Sequence, residues 1–88
     1  MFGIPNTIGD IKRNHGGMAI SFPVRLGRKI RFIREKRGLS QTQLADMAEI
    51  GRAHLSQIEN GAVAARVDTL HAIAVALEMH VSELLAGL

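Results

Sequence analysis

Arg52, Ala53, His54, Ser56 and Gln57 fall in one short stretch whose only large apolar residues are Leu55 and Ile58. On a helical wheel Leu55 and Ile58 share one side, while Ala53, Ser56, Gln57 and Asn60 point the other way. Small and amide-bearing side chains make a poor core face but suit the base edges of a DNA major groove. A Gln carboxamide pairs two-pronged with adenine, and an Arg at a helix start reaches guanine. Arg52 and Gln57 are therefore the strongest candidates for base contact, with Ala53, His54 and Ser56 beside them. The plainer alternative pairs Arg52 with Asp46 or Glu49 and leaves Gln57 merely solvated.

A reading face of this kind needs a partner helix to hold it, and the preceding residues supply one. Ser40 followed three residues later by Gln43 is a capping box, in which each side chain satisfies a backbone donor at the helix start. Leu44, Ala45 and Ala48 then lie on one face, and Ala45 is small enough for a second helix to cross closely. Ile50 plugs the turn, and Gly51 is an acceptable N-cap for the next helix. Two helical patterns separated by about four residues suit a helix-turn-helix, a motif whose second helix can enter a DNA major groove. Gln41 opens the first of these helices, where free N–H groups and the helix dipole favour an anion, so its amide and backbone are expected on a DNA phosphate. Arg31, Arg37 and Asn60 are further phosphate candidates.

Arg34, Gly38-Leu39-Ser40-Gln41, Leu44-Ala45, Leu55-Ser56, Ile58-Glu59-Asn60-Gly61, Leu70, Ile73-Ala74, Leu77 and Glu83-Leu84-Leu85 together resemble the phage-repressor helix-turn-helix family, the lambda-repressor-like, Cro-like or XRE-type regulators. The match runs from about Leu26 to Leu85. The resemblance implies an all-α, five-helix DNA-binding domain and a role in transcription regulation. It also implies an ion pair between Arg34 and Glu59 that locks the first helix against the recognition helix; the alternative leaves Arg34 on a phosphate and Glu59 solvated. Two residues depart from the family pattern. Glu49 stands where the family usually has a turn glycine, at a cost on the order of 1 kcal/mol for a left-handed residue. Gly51 replaces the usual Ser or Thr cap, a loss of a few tenths of a kcal/mol. The loop Ala62-Val63-Ala64-Ala65 also lacks the basic residues that often touch phosphate in the family.

The remaining elements follow from helical periodicity. A first helix is expected over about Val24–Arg37, with Leu26, Ile30 and Ile33 inward and Gly38 ending it. A fourth is expected over about Val67–Glu78, with Leu70, Ile73, Ala74 and Leu77 inward, and a fifth over about Val81–Leu88, with Val81, Leu84 and Leu85. Residues 1–22 read as an N-terminal arm and 23–88 as the domain. Four of the nine glycines and one of the two prolines lie before Ser21, with no sustained periodicity. Met18 is an alternative start, and Lys12, Arg13 and His15 would let an ordered arm touch DNA, a plain tail being the other reading. Phe32 and Val75 face away from the core and Leu88 closes an apolar stripe, so Phe32, Val75, Leu84 and Leu88 are expected to form a dimer or partner surface.

Composition narrows the function classes. The chain has 88 residues, 47% of them hydrophobic, which suits one domain burying only about 60% of its unfolded surface. No cysteine is present, and the apolar runs are too short for a membrane span or signal core, so a soluble cytoplasmic protein is expected. The net charge is +3, but seven of the 11 Lys and Arg residues lie between Arg25 and Arg37 with only Glu35 against them, a run that beside a helix-turn-helix favours phosphate contact over a solvated face. His15, His54, His71 and His80 have no metal-ligand spacing, so no metal and no cofactor is expected; His80 should cap or flank the fifth helix and His71 face solvent. No nucleophile elbow or glycine-rich phosphate loop is found, which argues against an enzyme.

One recognition helix reads too few base pairs to select a site in a genome, so a homodimer on a near-palindromic operator is expected, its recognition helices about 34 Å apart. No ligand-sensing domain is expected in the residues outside this domain, a minimal layout shared by phage-type switches and controllers of restriction-modification operons. Two other readings use the same fold: an antitoxin that holds a toxin and represses their shared operon, and a protein-interaction module with little affinity for DNA.

Overall fold

The computed structural model describes residues 20–88, which form five helices: α1 Phe22–Lys36, α2 Gln41–Ala48, α3 Arg52–Glu59, α4 Val67–Ala76 and α5 Val81–Leu85. No strand occurs among these residues. The arm expected over residues 1–22 lies almost wholly outside the described residues, including Lys12, Arg13, His15 and Met18.

Local chemistry accounts for most helix ends. Helix α1 starts two residues before the expected Val24, because Pro23 occupies its first turn, where a missing N–H costs nothing. It ends at Lys36, with Arg37 as C-cap and Gly38 at φ 72° turning the chain. Helix α2 carries the full capping box, with the Gln43 N–H donating to Ser40 Oγ at 3.0 Å and the Ser40 N–H donating to Gln43 Oε1 at 2.8 Å. Glu49 closes it at φ 59° and ψ 42°, the left-handed conformation in which a family glycine would be unstrained. Helix α4 stops at Ala76 rather than Glu78, because Glu78 itself turns left-handed at φ 60°. Helix α5 stops at Leu85 rather than Leu88, with Ala86 extended and Gly87 at φ 80°. The His80 N–H donates to Glu83 Oε1 at 2.7 Å at the α5 start.

The helices enclose a core centred on Ile30, Leu44, Leu55, Ile58, Ile73, Leu77 and Leu84. Ile33, Leu85 and Leu88 pack against it only in part. Leu84 is fully buried, which removes it from the expected partner surface: its side chain fills the space between α5 and the rest of the bundle. Helix α5 is secured from α1 by Lys29, whose Nζ donates to the Glu83 carbonyl at 2.7 Å and also to the Ala86 carbonyl. A cation at a helix C-terminus satisfies carbonyls left without helical partners. Part of the basic run is thereby turned to the fold's own use.

The crossing of α1 over α3 depends on a residue to which periodicity assigns no role. Gly27 is buried, and a Cβ there would overlap the Ile58 carbonyl oxygen and stand 2.6 Å from that of Glu59. Only a residue without a side chain lets the α1 backbone lie this close to the end of α3. Gly61 faces the same crossing from the other side, at φ 73° and with no room for a Cβ beside Val24.

Candidate nucleic-acid interface

Helix α3 begins at Gly51, an extended N-cap with φ −69° and ψ 144° and no side-chain cap bond. Leu55 and Ile58 are completely buried beneath it. Arg52, Ala53, His54 and Gln57 are exposed, Ser56 is half-buried and Asn60 is exposed at the C-cap. All five base-contact candidates thus lie on one eight-residue helix, and the amide-bearing side of that helix is turned to solvent. Arg52 forms no ion pair with Asp46, Glu49 or any other described residue.

The end of α3 is held by a buried polar cluster. Glu59 Oε2 accepts from Arg34 Nε at 2.7 Å, and Glu59 Oε1 accepts from Arg34 Nη2 at 3.0 Å, a two-pronged pair between side chains 9% and 1% exposed. Arg34 Nη1 donates to the Leu39 carbonyl at 2.8 Å, tying the α1–α2 turn to the same pair. The hydrogen bond to Glu59 raises the Arg34 pKa further above its already high ordinary value, so this guanidinium stays charged. Charges removed from water this far are tolerated because each guanidinium nitrogen of Arg34 finds an acceptor in good geometry.

The phosphate candidates sit in different surroundings. Gln41 is the first residue of α2, half-buried, and its Nε2 donates to Glu59 Oε1 at 3.0 Å, a partner that sequence reading did not assign to it. Arg31 pairs with Glu35 at 3.2 Å on the exposed side of α1. Arg37 approaches Glu78 at 3.7 Å, beside the α4 terminus. Both are surface pairs, weak enough to exchange for another anion. The loop after α3 is tied back through the Ala62 N–H, which donates to the Gln57 carbonyl at 2.9 Å, and through Val63, which packs against the core.

Away from α3, Phe32 is 60% exposed and Val75 59%, whereas Leu88 is half-buried. Met47 and Val67 are also exposed, two apolar surface residues that the wheel analysis did not single out. No helix among the described residues is long and apolar enough to cross a membrane.

Comparison with known proteins agrees with this fold. The helix-turn-helix family model HTH_3 matches residues 30–84. The immunity repressor of Bacillus phage phi105 is 40% identical over 57 residues, a match that covers 65% of this chain and 40% of that protein. The restriction-modification controller protein C.AhdI from Aeromonas hydrophila superposes with a TM-score of 0.69 at 29% identity, covering 70% of this chain and 94% of the controller. An HTH_3 family transcriptional regulator from Vibrio cholerae gives a TM-score of 0.70 at 32% identity, over 74% of this chain and 36% of its own. The chain belongs to the HTH_3 helix-turn-helix family of DNA-binding transcriptional regulators.

Proposed function

We propose that this protein is a sequence-specific regulator that binds a near-palindromic operator as a homodimer and acts in the cytoplasm. The observation that carries the reading is the division of α3: Leu55 and Ile58 fully buried, Ala53 and Gln57 exposed, and Arg52 uncommitted to any described acidic group. A rigid helix with an outward amide and guanidinium supplies the donors and acceptors that direct readout requires. Gln41 at the start of α2, bonded to Glu59 at the end of α3, and Asn60 at the α3 C-cap provide the phosphate contacts that set its register, with Arg31 and Arg37 as outer contributors.

Selection of bound sequences from a pool of random duplexes tests this directly. A twofold-symmetric motif with half-sites about one helical turn apart is expected. Recovery of no preferred sequence, with no affinity for random duplex at low salt, overturns it. The exposed Phe32 and Val75 also admit an antitoxin reading, in which an exposed apolar side chain of this kind holds a toxin. Isolation of the protein from its native source in a stoichiometric complex with a small toxic protein favours this second reading.

A further inference from the structure

Gln41 touches more than the position at the start of α2 would require. Its Nε2 donates to the same Glu59 oxygen that Arg34 Nη2 reaches, both at 3.0 Å, and this is the only side-chain hydrogen bond of Gln41 among the described residues. Glu59 is the last residue of α3, directly after Ile58 and two positions beyond Gln57. Leu55 and Ile58 seat α3 in the core through an apolar stripe, so the roll of the helix about its own axis depends on the contacts made at the flanks of that stripe. Glu59 lies at the flank of that stripe. A carboxylate held there from α1 by Arg34 and from α2 by Gln41 opposes a roll, because any rotation breaks bonds to two separate elements. A two-pronged base contact tolerates a displacement of only about 0.5 Å, so the roll of α3 decides whether the Gln57 carboxamide meets a base edge.

We propose that Gln41 is a positioning residue for base recognition, holding the roll of α3 through Glu59, so that its loss lowers sequence selectivity and not only affinity. The proposal rests on the DNA-binding reading above. Its carboxamide keeps a second N–H, so a phosphate at the α2 N-terminus accepts from the same group that donates to Glu59. Backbone clamp and base-reading helix are then joined through one side chain.

Two variants separate positioning from simple phosphate contact. Q41M keeps the length of the side chain without its donor, and Q41K keeps a donor within reach of Glu59 and adds a charge. Affinities for the selected operator and for random duplex are measured across a salt series. Q41M is expected to lower the operator-to-random ratio about tenfold. Q41K is expected to hold that ratio within about twofold while steepening the salt dependence by about one unit. In the free proteins, amide exchange at Asn60 and Ala62, whose N–H groups bond to Ser56 and Gln57, is expected to accelerate in Q41M but not in Q41K, with Leu77 at the α4 C-cap, bonded to Ile73, as the internal reference. Equal loss for both duplexes, with the ratio unchanged, reduces Gln41 to a phosphate contact and overturns the proposal, as does unaltered exchange in Q41M. Absence of any duplex binding by the wild-type protein overturns the DNA-binding reading instead, while the exchange result still reports whether Gln41 holds α3.

Discussion

Gln57 and Arg34 show how differently two polar residues serve one helix. Gln57 is exposed and free to leave water for a base edge, so Gln57→Ala is expected to relax preference at a single operator position by about 1–3 kcal/mol, read from affinities for the four base variants at each position. Folding stability should be unchanged by it. Arg34 is buried on Glu59, and its contribution is to the fold. Arg34→Met leaves the Glu59 carboxylate facing one remaining Gln41 donor, and Glu59→Leu leaves the guanidinium unpaired. Each single change is expected to cost about 3–5 kcal/mol in urea denaturation, whereas the double replacement costs less than the sum because no lone charge remains inside. Periodicity placed Arg34 at the edge of the core stripe and family resemblance supplied its partner. The third member, Gln41, joins Glu59 across 18 residues of sequence, a separation at which no local pattern operates.

At the level of the elements, the two ends of α2 are unequal. The α2 start has both bonds of its capping box, so the sequence already carried the information that sets this boundary. The α2 end is strained, because Glu49 adopts φ 59° with a side chain that gains nothing visible from it. Glu49→Gly is therefore expected to raise stability by about 0.5–1 kcal/mol, measured as an increase in thermal midpoint without change in the operator motif. Helix ends were least legible where the stop signal was weak. Helices α4 and α5 both have apolar residues beyond their last turn, and the wheel extended them accordingly. Left-handed Glu78 and extended Ala86 end them earlier, since a turn outward is needed to bring Met79 and Leu88 back against the core.

For the whole molecule, the distribution of exposed and occupied groups bears on assembly and on the electrostatic grip. Of the basic run in α1, Lys29 binds α5 carbonyls, Arg34 is buried on Glu59, and Arg31 and Arg37 lie near carboxylates. Part of this run is thus engaged within the domain, while the exposed pairs of Arg31 and Arg37 can exchange for phosphate beside Gln41 and Arg52. Weak purchase by one copy makes pairing of two copies the economical route to affinity. Phe32 and Val75 are among the exposed large apolar residues available for it, with Met47 and Val67 beside them in that class, and Leu84 is not. Replacing both with Ser is expected to shift sedimentation from dimer to monomer at micromolar concentration and to abolish binding to a full operator, with the helical circular dichroism retained. A wild-type protein that sediments as a monomer and stays one on operator DNA contradicts the dimer.

What the sequence determined by itself is local and periodic: five helices, the capped start of α2, the outward amide side of α3 and the apolar stripes beneath them, because helical repeat and capping act between residues a few positions apart. Tertiary structure alone decided which residue could fill each place of contact. It made Gly27 indispensable by laying α1 on the carbonyls of Ile58 and Glu59, sent Lys29 to α5, enclosed Leu84, and brought Gln41 to Glu59. Each of these depends on how two helices distant in sequence approach one another, and that distance is set by packing of the entire bundle rather than by any stretch of chain.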